Sequence, residues 1–171
     1  MGVLRASVII YSDLQLLGYL LGHTGVAYID LLEGLRSAEP YPPLYLSGVV
    51  YQREPSGSEV WQTPYHALGT KAADCEDLSC WRSAELWALG ETRARPTVKR
   101  ISPRLRHILV QRADGTIEDP SLILGMHAAR DPVGWRAEAE RARAAVRPVM
   151  RTPETPLPYG MPVLADVEPR R

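Results

Sequence analysis

Residues 74–89, DCEDLSCWRSAELWAL, leave this chain the least freedom. Asp74 is a favourable N-cap, Asp77 stands at the third helical position where a carboxylate can reach back to the cap, and Gly90 is a stop. Leu78, Trp81, Glu85 and Ala88 recur on one side of such a helix, and Ala84, Trp87 and Leu89 widen the stripe. A helix apolar over most of its circumference must lie inside the fold, with other elements packed around it.

The flanking sequence supplies those elements. RARPTVKRI (93–101) and RLRHILVQR (104–112) read as strands, ADG (113–115) as a turn and TIEDPS (116–121) as a short returning strand. Pro96 cannot donate to a ladder, so the first strand lies at an edge or begins after it. Upstream, residues 3–40 predict a short apolar element and then two short helices, the first capped by Ser12 and ended by Gly22. EPYPPLYLSGVVYQREPSGSEVW (39–61) reads as a Pro-rich turn and an extended segment leading toward the central helix. Residues 131–147 predict an exposed helix, with Asp131 as cap and Pro132 in the first turn. Six prolines from Pro148 onward predict an extended arm. The expectation is an α+β chain: a helical N-terminal segment (1–45), a core (46–130), an exposed helix (131–147) and the arm (148–171).

Charge and composition exclude several classes. Twenty basic residues balance twenty acidic ones, so no net field draws nucleic acid or an anionic membrane. Arg93, Arg95, Lys99, Arg100, Arg104 and Arg106 read as a solvated face. Arg5, Asp13 and Gln15 interrupt the apolar N-terminus, which offers neither a membrane span nor a standard signal peptide. Cys75 and Cys80 on one helix stand roughly 8 Å apart, too far to bridge. The histidines, at 23, 66, 107 and 127, are scattered, so neither a metal nor a cofactor is expected. His23, His66 and His127 read as surface or capping residues, with His66 an alternative imidazole nine residues before Cys75.

Cys75 poses the chemical question. A helix N-terminus lowers a thiol pKa, but Asp74, Glu76 and Asp77 oppose thiolate formation. A cationic partner is therefore needed, and an imidazolium is the usual one. His107 lies on the strand before the ADG turn and Asp119 on the strand after it. A two-residue turn would pair Val110 with Asp119 and send His107 to the opposite face. A three-residue Ala113–Gly115 loop, with Gly115 left-handed, pairs Leu109 with Asp119 and puts His107 on the same face, one diagonal step away. The turn chemistry permits a Cys75–His107–Asp119 relay.

Cys on a helix, followed by His and Asp on successive strands, resembles the transglutaminase-like branch of the papain-like cysteine enzymes. SGVVYQREP, EVWQTP, DCEDLSCWRSAEL and DGTIEDPSLILGM are together similar to short transglutaminase-like proteins of tailed phages and prophages. The resemblance implies a papain-like core, with the nucleophile helix on a small antiparallel sheet. It also implies Cys75 as nucleophile, His107 as general base and Asp119 as the group orienting the imidazole. The Cys75 N–H is one oxyanion donor, and Gln62, Trp61 or Gln52 offer the second. The implied substrate is a protein or peptide amide, resolved by water or by an amine. The alternatives are a virion head or tail component that binds neighbouring phage proteins through residues 148–171 and, ranked last, a cell-wall endopeptidase of the NlpC/P60 type, whose DCSG motif differs from DCED here. The expected setting is the host cytoplasm or the virion.

Overall fold

The computed structural model describes residues 12–35, 40–55, 60–103, 105–128 and 130–146. The readings made for residues 3–11 and for the Pro-rich arm lie outside the described residues. In chain order the elements are α1 (Asp13–Gly34), a 3₁₀ turn (Leu44–Leu46), β1 (Val50–Tyr51), α2 (Pro64–Thr70), β2 (Ala72–Ala73) and α3 (Cys75–Ala88). The hairpin strands β3 (Arg95–Ser102) and β4 (Leu105–Gln111) follow, then β5 (Ile117–Glu118), α4 (Pro120–Ile123) and α5 (Pro132–Ala144). This mixture of helices and small sheets is an α+β architecture.

The N-terminal expectation needs correction. Ser12 does cap α1, accepting from the Gln15 N–H, but the helix passes through Gly22 and runs for 22 residues. A glycine in mid-helix costs about 1 kcal/mol. Against that cost, Leu16, Leu20, Ala27, Tyr28 and Leu31 return to one buried face, and each fully buried leucine contributes about 1.5–3 kcal/mol. Burial outweighs the local break.

Helix α3 is central, as its pattern requires. Leu78, Trp81, Ala84, Leu86 and Trp87 join Ala27, Tyr28 and Leu31 of α1, Leu44, Val49 and Val110 in one core. The Trp87 indole donates to Ala94 O, and its ring meets Tyr28 edge-on at 6.0 Å. Gly90, at φ +92°, ends the helix: its N–H bonds Trp87 O and the Glu91 N–H bonds Leu86 O, which satisfies two orphan carbonyls. At the other end Asp74 holds the N-cap position, but its side chain makes no cap hydrogen bond.

The three-stranded sheet has the order β3-β4-β5, with Pro96 on the edge strand opposite Val110. Val110 pairs with Glu118 and Gln111 with Ile117, the register of the three-residue loop. Gly115 takes φ +89°, and its N–H closes a turn on Arg112 O. Strands β1 and β2 pair in parallel, Tyr51 beside Ala73, and deliver the chain to the start of α3. Asp131 caps α5 by accepting from Gly134 N–H, and Ala139 is the helix's buried residue. Among the described residues, no helix is long and apolar enough to cross a membrane.

Candidate active site

The first turn of α3 lies along the free side of β4. Ser79 Oγ donates to Ile108 O at 3.0 Å. Both polar groups of a residue in an antiparallel strand point to the same side, so the Ile108 N–H also faces α3. That amide favours the Cys75 thiolate, which places the half-buried thiol beside the residue following His107.

His107 and Asp119 are joined directly, Nε2 to Oδ2 at 2.9 Å. The carboxylate is itself oriented, because its Oδ1 caps α4 by accepting from Leu122 N–H at 3.1 Å. Where Asp119 accepts, the imidazole proton sits on Nε2 and Nδ1 keeps its lone pair. The thiol is not hydrogen-bonded to that ring. Cys75 Sγ donates to Glu76 Oε2 at 3.0 Å. Burial first, and then the Glu76 carboxylate, push the Cys75 thiol well above the ordinary range.

A buried ionic network fastens the hairpin to α3. Arg82 reaches Glu118 Oε1 at 2.6 Å and Glu85 Oε2 at 3.0 Å, and its guanidinium lies 5.0 Å from the centre of the Tyr45 ring. Glu85 also accepts from Leu44 N–H, and Tyr45 donates to Glu118. Arg112 bridges Glu118 and Glu91. Since Glu118 precedes Asp119, these contacts set where the His107–Asp119 pair stands relative to Cys75.

The acids around Cys75 have partners beyond the helix start. Asp77 reaches back to the Asp74 amide, as its position predicts, and its Oδ1 also accepts from Gln62 N–H at 2.7 Å and lies 3.6 Å from His23 Nε2. Asp74 is 8% exposed. Burial, followed by the charges of Glu76 and Asp77, holds its carboxyl well above the carboxylate range. Its Oδ1 is buried without a hydrogen-bond partner, in keeping with the missing cap bond.

His23, read as a surface or capping residue, is instead built into the site's wall. Its Nε2 contacts Gln62 O at 2.9 Å, and its ring lies 5.2 Å from that of Trp61. Trp61 and Cys75 pack against the same cluster of Leu16, Leu20, Cys80 and Ile108. The Gln62 side chain is engaged by Ala72 O and Thr70 Oγ1, so its amide serves to fix this segment. Tyr51, unremarked beside Gln52, is close enough to Cys75 for the thiol's charge to add to the burial that raises its hydroxyl. His66 bonds Thr63 and lines a groove of about 570 Å³ with Tyr41 and Tyr65, with neither Cys75 nor His107 on its walls. Among the described residues, no three His, Cys, Asp or Glu side chains are arranged to hold a metal ion.

Compared with family models, curated proteins and solved structures, the chain matches none.

Proposed function

We propose that the chain is a transglutaminase-like cysteine enzyme with a papain-like core, phage-encoded, acting on protein or peptide amides. The His107–Asp119 hydrogen bond, on a strand that borders the first turn of the Cys75 helix, carries this reading. Cys75 Sγ attacks the amide carbonyl, with His107 Nδ1 taking the thiol proton. The tetrahedral oxyanion collapses, the C–N bond breaks, and the imidazolium protonates the departing amine. Water or an amine then cleaves the thioester, its proton returning through His107. Asp119 holds the ring in the Nε2–H tautomer throughout.

The test uses hydroxylamine, which intercepts a thioester whichever natural acceptor follows. The purified chain is incubated with a peptide mixture, and hydroxamates and free acids are read by mass spectrometry. Products should vanish with Cys75→Ser and fall by about 10²–10⁴-fold with His107→Ala. Asp119→Asn should also slow them while keeping α4 capped, because Asn is an equally good N-cap. Product formation unaffected by Cys75→Ser would refute the mechanism.

A second reading rests on the Cys75–Glu76 hydrogen bond, which keeps the thiol protonated. In that reading the same fold serves as a virion assembly component, and no variant or acceptor yields product.

A further inference from the structure

We propose that Glu76 is a latch on the Cys75 thiol: its carboxylate holds the sulfur as S–H and away from His107, and the nucleophile forms only when Glu76 moves aside. The proposal rests on the Cys75–His107–Asp119 reading and adds its regulation. The geometry is specific. The two residues are adjacent on the first turn of α3, and the single thiol proton is directed to Glu76 Oε2 at 3.0 Å. A thiol has one proton to donate, so engagement with Glu76 and with the imidazole exclude one another.

The surroundings keep Glu76 in place. Asp74, buried and with its Oδ1 unbonded, turns its other carboxyl oxygen to Glu76, so the two acids share a proton beside the sulfur. The groups facing this spot come from several elements. Asp74, Glu76 and Asp77 belong to the start of α3; Tyr51, Arg53 and Glu54 to β1 and the chain after it; His23 to α1. His107, Asp119 and, opposite His107 on β3, Lys99 complete the set. Of the imidazoles, His23 contacts Asp77 and Gln62, and His107 contacts Asp119 through Nε2, which leaves its Nδ1 to take the thiol proton once Glu76 releases it.

The experiment measures iodoacetamide alkylation of Cys75 against pH in the full chain, on a Cys80→Ala background. It compares the parent with Glu76→Gln, Glu76→Asp, His107→Ala and the Glu76→Gln/His107→Ala double variant. Each unit by which the thiol pKa falls yields tenfold more thiolate, and the lower nucleophilicity of the weaker base leaves a net gain of about threefold to fourfold. Glu76→Gln should therefore move the midpoint down and raise the rate at pH 8 by about threefold or more. Glu76→Asp, which keeps the charge but shortens the reach, should give a smaller gain and serves in its place if the glutamine variant fails to fold. An unchanged midpoint in both overturns the latch, whatever His107→Ala does. A gain that survives in the double variant upholds the latch and removes the relay; a gain abolished there upholds both.

Discussion

Replacing Arg82 with methionine probes the structural claim on which the site depends. Methionine keeps most of the aliphatic stem, so the change removes mainly the charge and its bonds. Glu85 is 2% exposed and keeps the Leu44 N–H as an acceptor contact, while Glu118 keeps Arg112 and Tyr45. Stripping one partner from a buried ion pair costs about 3–5 kcal/mol. Loss of the guanidinium over Tyr45 adds about 0.5–1 kcal/mol. A domain of this size has only about 5–15 kcal/mol in hand.

The loss should depend on pH, and its direction follows from Glu85. Burial raises the Glu85 carboxyl even with Arg82 beside it, and removing Arg82 raises it further. A group whose folded pKa is raised leaves stability intact below its unfolded value, about 4.3, and stability is lost as pH climbs through the folded value. The variant should therefore approach the parent near pH 4.5 and fall furthest behind at pH 7.5. Urea unfolding followed by Trp fluorescence suits the measurement, since Trp81 and Trp87 are buried. With a slope of about 2 kcal/mol per molar, the midpoint should drop by about 2 M at pH 7.5. Replacing Glu85 with methionine as well should recover much of the loss. A deficit under about 1 kcal/mol at pH 7.5, or an equal deficit at both pH values, would refute the reasoning.

Two further outcomes can be checked by the same unfolding assay. Gly115→Ala meets no atom within 4 Å, so its cost is backbone alone, about 1–2 kcal/mol for a left-handed alanine at φ +89°, without loss of the hairpin. His23→Leu fits the apolar stripe of α1 but leaves Asp77 with one fewer partner, and should cost about 1–3 kcal/mol while loosening Trp61 from the wall beside Cys75.

Much of the hairpin and its chemistry was legible in the residues. ADG permits a three-residue loop, and counting back from it puts Leu109 opposite Asp119 and His107 on the same face, as the strand pairing has it. The central position of α3 followed from apolar residues on nearly every side. Other features were hidden for a common reason. Gly22 reads as a stop because the apolar face that carries α1 past it is buried by residues some sixty positions away. Once α1 is continuous, His23 falls on the stripe of Leu16, Leu20, Ala27 and Leu31 and requires a buried polar partner, a signal lost when the helix is cut at Gly22.

What the sequence by itself determined is local: the caps of α1 and α5, the Gly90 stop, the Gly115 loop and the alternation that brings His107 to Asp119. Each depends on hydrogen bonds and backbone angles within a few residues. Tertiary structure alone decided that the Asp74 carboxyl is raised by burial, that His23 contacts Asp77, and that the Cys75 thiol is hydrogen-bonded to Glu76. Those outcomes turn on burial and on which charges meet in a place water has left, and desolvation is a property of the assembled molecule.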